Sequence, residues 1–187
     1  MRKSTSGFTI IEIIVVIVVL AILMAIVGSA YNMTQQQSRN AERYTEMKEW
    51  QRLLERYKAR NGEYPDVPMP DHRNFCLGYG FPQGHNNERR CRDYVNPGGD
   101  EVDSDSYRQD RNTAFMEELK TVGKLPPEGP RRGLYGIVGP YVEFSVDGKY
   151  QIRNIFEGET AEDCPNGTTI SYVFVGKPII MCGLDDF

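Results

Sequence analysis

Between Phe8 and Val27 almost every residue is Ile, Val, Leu, Ala or Met, and the run holds one ionisable side chain, Glu12. At about 1.5 Å per helical residue, Phe8 to Ala30 reaches roughly 34 Å, enough to cross a hydrocarbon core of about 30 Å. The many β-branched residues are no obstacle there, because lipid obliges the backbone to satisfy its own hydrogen bonds as a helix. Beyond Tyr31 the chain turns polar, charged and rich in Gly, Pro and Tyr. A chain of 187 residues written this way is one membrane span followed by one ordinary domain.

Net charge is −4 with a pI near 5.3, which gives no electrostatic basis for a nucleic-acid-binding domain. The local basic cluster ERRCR, Glu88 to Arg92, reads as a solvated loop. Arg2 and Lys3 form a purely basic flank that favours a cytoplasmic N-terminus. Behind the span, Arg39, Arg43 and Lys48 are mixed with Glu42, Glu46 and Glu49. Four cysteines in a Gly/Pro-rich domain suggest two disulfides outside the cytoplasm, Cys76 with Cys91 and Cys164 with Cys182 by proximity. Three pairings are formally open to four cysteines.

Past the span, Ser38 to Asn61 reads as helix. Tyr44, Met47, Trp50, Leu54 and Tyr57 recur at spacings of three and four and share a face, while Glu42, Arg43, Glu46 and Lys48 belong to the remainder. No proline falls between Phe8 and Tyr64, so one continuous helix of more than fifty residues is expected, with Gly28-Ser29 its only soft point. NGEYP ends it through Asn61-Gly62 and Pro65. Residues 62–130 read as an irregular region relieved by a short helix from about Tyr107 to Val122, N-capped by Ser106, with Phe115, Leu119 and Val122 inward. In 131–187, YVEFSV and KYQIRNI flank Asp147-Gly148 as a hairpin, and TTISYVFVG and PIIMC supply two more strands. The fold class is α+β: a long N-terminal helix, apolar then amphipathic, packed on the one apolar face of a small antiparallel sheet.

A carboxylate inside a span costs about 2.5–3.5 kcal/mol on insertion scales, so Glu12 needs a partner or a route to water. Snorkelling from one turn inside the interface explains its survival without giving it a purpose. A cut between Gly7 and Phe8 would create an α-amino cation four residues from Glu12. In a staggered bundle, the amine of one chain could meet the carboxylate of the next and favour one axial register.

These residues resemble a type IV pilin precursor: a short basic leader, then Gly7, Phe8, Thr9 and Glu12 in GFTIIE, then a long apolar helix. NGEYP and the C-terminal pair Cys164 and Cys182 are further family-like features, and the resemblance covers the N-terminal third. It implies a leader of residues 1–7, a filament-core helix over 8–30 and an extracellular globular domain over 31–187. It further implies cleavage after Gly7 by a prepilin peptidase, N-methylation of Phe8, and assembly through Phe8, Thr9 and Glu12 into a filament of like subunits. The implied partners are that peptidase, an assembly platform with its ATPase, and the membrane before assembly. The chain departs from many pilins in having no proline within the apolar half. Surface pili for adhesion or twitching, and the pseudopilins of type II secretion or DNA-uptake machines, share this N-terminus.

Rival readings are a signal peptide cut at Gly28-Ser29-Ala30, releasing a secreted ligand-binding domain from Tyr31, and a membrane-anchored extracellular domain. Against the first, the apolar stretch exceeds the usual 7–15 residues and contains Glu12. No G-x-S-x-G, H-E-x-x-H or glycine-rich phosphate loop occurs, so no enzyme and no cofactor are expected. His72 and His85 with Cys76 and Cys91 match no common zinc spacing. The acidic run GGDEVDSDS offers Asp100, Asp103 and Asp105 to calcium but lacks the EF-hand pattern and reads as a solvated loop.

Overall fold

The computed structural model describes residues 9–65, 74–81, 89–92, 108–109, 112–127, 139–145, 148–174, 176 and 178–185. Helix α1 runs from Ile10 to Asn61 over 52 residues and passes through Gly28 without interruption. It is followed by β1 (Asn74–Cys76), α2 (Thr113–Lys120), β2 (Tyr141–Phe144), β3 (Tyr150–Glu157), a 3₁₀ turn (Ala161–Asp163), β4 (Thr169–Val173) and β5 (Ile179–Asp185). The architecture is α+β, a long N-terminal helix followed by a five-stranded antiparallel sheet in the order β1-β2-β3-β5-β4. By internal contacts the chain divides into two units, residues 1–38 and residues 39–187.

The second unit holds the core. Met47, Trp50, Leu53, Leu54 and Tyr57 of α1 are buried with Phe115, Met116 and Leu119 of α2 and with Val142, Phe144, Tyr150, Ile152, Phe156, Ile180, Cys182 and Leu184 of the sheet. Phe115 and Leu119 face inward as their spacing predicts, and Val122 packs partly buried beside them. The α2 N-terminus lies at Asn112 rather than Ser106, which is outside the described residues. Between β2 and β3 the chain reverses through Gly148 at φ +81°, a left-handed conformation that glycine adopts without steric cost, with Gly148 N–H donating to Ser145 O at 3.1 Å.

Three expectations are corrected. The region read as irregular contributes β1, whose Phe75 pairs with Val142 and Cys76 with Tyr141. A three-residue strand is too short to carry a period of its own; it exists because β2 offers an edge.

Nor does the sheet hide a single apolar face. Tyr141, Ile155 and Met181 alternate away from α1 and are buried with Phe81, Cys76 and Cys91 in a second cluster. The segment carrying Phe81 is laid across that face, with Leu77 N–H donating to Pro140 O at 3.0 Å and Gly139 N–H to Cys91 O at 2.8 Å.

The third correction concerns α1, where Arg43 (1% exposed) and Glu46 (4%) are buried rather than solvated. Both sit a turn or two from Trp50 on the same stripe. Arg43 Nη1 donates to Ile155 O at 3.2 Å and lies 4.0 Å from Glu157 Oε1. Burial pushes its guanidinium pKa down, and the Glu157 charge opposes that push. Arg39 grips both Glu157 oxygens, each at 2.6 Å, and that bond raises its pKa. Asn40 exchanges two bonds with the Glu157 backbone, at 2.8 and 2.9 Å.

Candidate assembly signature at the helix N-terminus

Thr9 precedes the first helical residue, and its spacing to Glu12 is that of an N-cap and its third helical position. Thr9 N–H donates to Glu12 Oε2 at 2.8 Å, and the Thr9 hydroxyl donates to the same oxygen at 2.7 Å. In return Glu12 N–H reaches Thr9 Oγ1 at 3.3 Å. This is a reciprocal capping box, which satisfies two of the N–H groups that a helix start leaves without intrahelical partners. Threonine and glutamate three apart carry that signal in the sequence, independently of any partner for Glu12 outside the helix.

The box uses Oε2 alone. Among the described residues Oε1 of Glu12 accepts no hydrogen bond. Behind it, the large apolar side chains from Ile10 to Val27 are between 47% and 80% exposed. An 18-residue window of this helix has mean hydropathy 3.5 and no buried residue. Uncovered side chains of this kind need lipid or other helices around them.

Residues 2–28 match the family model for the prokaryotic N-terminal methylation motif. The chain carries the class III signal peptide of type IV pilins. The match ends at Gly28, so it covers the N-terminal segment and the apolar half of α1 and leaves the domain behind them to be read from its own residues. No curated protein and no solved structure gives a significant match to the chain. The methylation motif supports a type IV pilin or pseudopilin family, a structural class, and with the one long apolar helix it fits a membrane-anchored precursor.

Gly7 and Phe8 lie outside the described residues, as do His72, His85, Asp100, Asp103, Asp105 and Asp147. Among the described residues no group of three His, Cys, Asp or Glu side chains is placed to hold a metal ion. Cys76 is bonded to Cys91 with Cα atoms 5.5 Å apart, and Cys164 to Cys182 at 5.8 Å. The first closes the second apolar cluster over the sheet, and the second ties the 3₁₀ turn to the penultimate ladder position beside β4.

Proposed function

We propose that the chain is a structural subunit of a type IV pilus filament, cleaved after Gly7 by a prepilin peptidase and N-methylated on Phe8. The observation that carries this reading is the methylation motif over residues 2–28 lying on a helix whose apolar residues 10–27 have no cover of their own. In the filament, neighbouring helices supply that cover, and Glu12 Oε1 receives the Phe8 amine of an adjacent subunit. An unmatched carboxylate in such a bundle is penalised, so the pair selects one axial register. The partners are other copies of the subunit, the peptidase, the assembly platform with its ATPase, and the membrane before extraction. The globular domain forms the outer surface.

A pseudopilin of a secretion or DNA-uptake machine would use the same N-terminus. The loop closed by Cys164–Cys182, with Ile170 and Tyr172 exposed on β4, favours a surface fibre that presents this loop.

The deciding experiment is the intact mass and N-terminal residue of the protein from its native host, joined to filament yield from Glu12→Ala. A chain that begins at Phe8 and carries one extra methyl is expected. Glu12→Ala should be processed and membrane-inserted normally yet give roughly tenfold fewer filaments or worse, the loss expected of a register-setting pair of 1–2 kcal/mol. A chain beginning at Met1 would make it an uncleaved anchor, and one beginning at Tyr31 a secreted domain. Either would end the filament reading. Normal filament yield from Glu12→Ala would remove the register role while leaving the processing intact.

A further inference from the structure

The chain contains two Asn-Gly pairs, Asn61-Gly62 and Asn166-Gly167. An asparagine followed by glycine is the least hindered setting for attack of the next backbone nitrogen on the side-chain Cγ, since no Cβ blocks the approach. Both pairs are exposed, so access to water does not separate them. What separates them is whether the reacting groups are already engaged.

At the end of α1 they are. Gly62 N–H donates to Lys58 O at 2.8 Å, and Asn61 Nδ2 donates to Tyr57 O at 3.1 Å. Reaction there requires both bonds to open and the last helical turn to fray. Asn166-Gly167 lies in the turn between Cys164 and β4, with Gly167 at φ +85°. The bonds that hold this turn belong to its neighbours. Thr168 N–H and the Thr168 hydroxyl both donate to Pro165 O, at 3.0 and 2.7 Å, and Tyr44 OH donates to Asn166 O at 2.9 Å. Among the described residues neither Gly167 N–H nor the Asn166 side-chain amide makes a hydrogen bond. The turn is therefore held at its carbonyls and its disulfide while the two groups that would react stay free.

We infer that Asn166 is a site of spontaneous deamidation, made selective by the fold. Hydroxide removes the Gly167 amide proton, and the nitrogen attacks Cγ of Asn166. The new C–N bond closes a succinimide ring as the bond from Cγ to Nδ2 breaks. The expelled nitrogen takes a proton from water and leaves as ammonia, which restores the hydroxide. One water then opens the ring at either carbonyl, giving aspartate or isoaspartate. Amide and water have become carboxylate and ammonium, with no oxidant and no enzyme.

The product adds an anion to a stretch of chain that already carries Glu162 and Asp163. In the isoaspartyl form the main chain runs through Cβ and Cγ, one atom longer, and the carbonyl that Tyr44 holds becomes the free α-carboxylate. The chemistry stands apart from the filament reading; only its accumulation with fibre age depends on that reading.

Asn166-Gly167-Thr168 also fits the Asn-x-Ser/Thr acceptor pattern for glycosylation. A glycan on the amide would block the reaction, so the test must tell the two apart. The full chain in detergent is incubated in mildly alkaline buffer, digested at intervals and mapped by mass spectrometry. The Asn166 peptide should gain about 1 Da and split into aspartyl and isoaspartyl forms. It should do so roughly tenfold or more faster than the Asn61 peptide, whose bonds must open first. In denaturant the two rates should converge, and Thr168→Ala, which removes the acceptor pattern but keeps Asn-Gly, should still deamidate. Equal rates in the folded chain, a rate ratio unchanged by denaturant, an intact Asn166 amide, or a sugar-sized mass on Asn166 would each overturn the inference.

Discussion

The two halves of α1 share a backbone and invert each other's rule for what is covered. From Ile10 to Val27 the large apolar side chains stand exposed, while from Arg43 to Tyr57 an arginine and a glutamate are buried beside Met47, Trp50 and Leu54. Polarity alone therefore does not decide burial along this helix; the partner does. The first half, exposed along its length, is written for lipid or for other helices. Against the second half the sheet supplies a carbonyl for Arg43 and a carboxylate within reach, so a charge can be tolerated inside.

Truncation offers the strongest way to break this contrast. Trp50→Ala removes a side chain that is 1% exposed and should destabilise the domain by about 3–5 kcal/mol, read from thermal or denaturant unfolding in detergent. Leu23→Ala, at a position 52% exposed, should leave the same transition within about 0.5 kcal/mol. Similar losses from both would mean that the apolar half is covered by its own domain.

A smaller loss is expected where charge is buried. Glu157→Ala takes the carboxylate from Arg39 and leaves Arg43 buried beside Ile155 O with only the weaker fields of Glu46 and Glu42, costing about 2–4 kcal/mol. Most of that loss belongs to Arg43, since the Arg39 side chain is 31% exposed and water screens its pair. The sharper form of the test is the double variant Arg43→Met with Glu157→Leu, which should be less destabilised than the two single changes added together. Simple additivity would show that Arg43 and Glu157 do not act as a pair.

The parts of the fold legible in the sequence are those decided locally. Met47, Trp50, Leu54 and Tyr57 announce their face by spacing, Phe115 and Leu119 theirs, and Gly148 marks the reversal between β2 and β3. What escapes is decided by a distant partner. Asn74–Cys76 is a strand because β2 pairs with it, and Tyr141, Ile155 and Met181 are covered because the segment through Phe81 returns across the sheet. Arg43 reads as a solvent residue because its type says nothing of the carbonyl and carboxylate waiting on β3. At the candidate site the divide falls within one residue. The apolar run and Glu12 stand out at once, yet the Thr9 bond that consumes one Glu12 oxygen lies in a spacing that is easily passed over.

That spacing occurs in both regions, and the second copy gives the smallest and most selective test. Asp163 Oδ2 accepts from Thr160 N–H and Glu159 N–H, each at 2.9 Å, and from the Thr160 hydroxyl at 3.1 Å. Those bonds, the Thr160 N–H first, hold the Asp163 carboxyl below its ordinary range. Its folded-state pKa is thus lower than its unfolded one. The stability it contributes is complete above the unfolded carboxylate range and is lost as pH falls through the depressed folded value. Asp163→Asn removes the titration while keeping an oxygen to accept. The gap in melting temperature between the parent chain and this variant should stay constant from neutral pH down to the ordinary carboxylate range and then narrow as acid is added. Exposure of Asp163 keeps that gap small. A gap that does not change with acid would mean the Thr160 box is held by its hydroxyl and not by the charge.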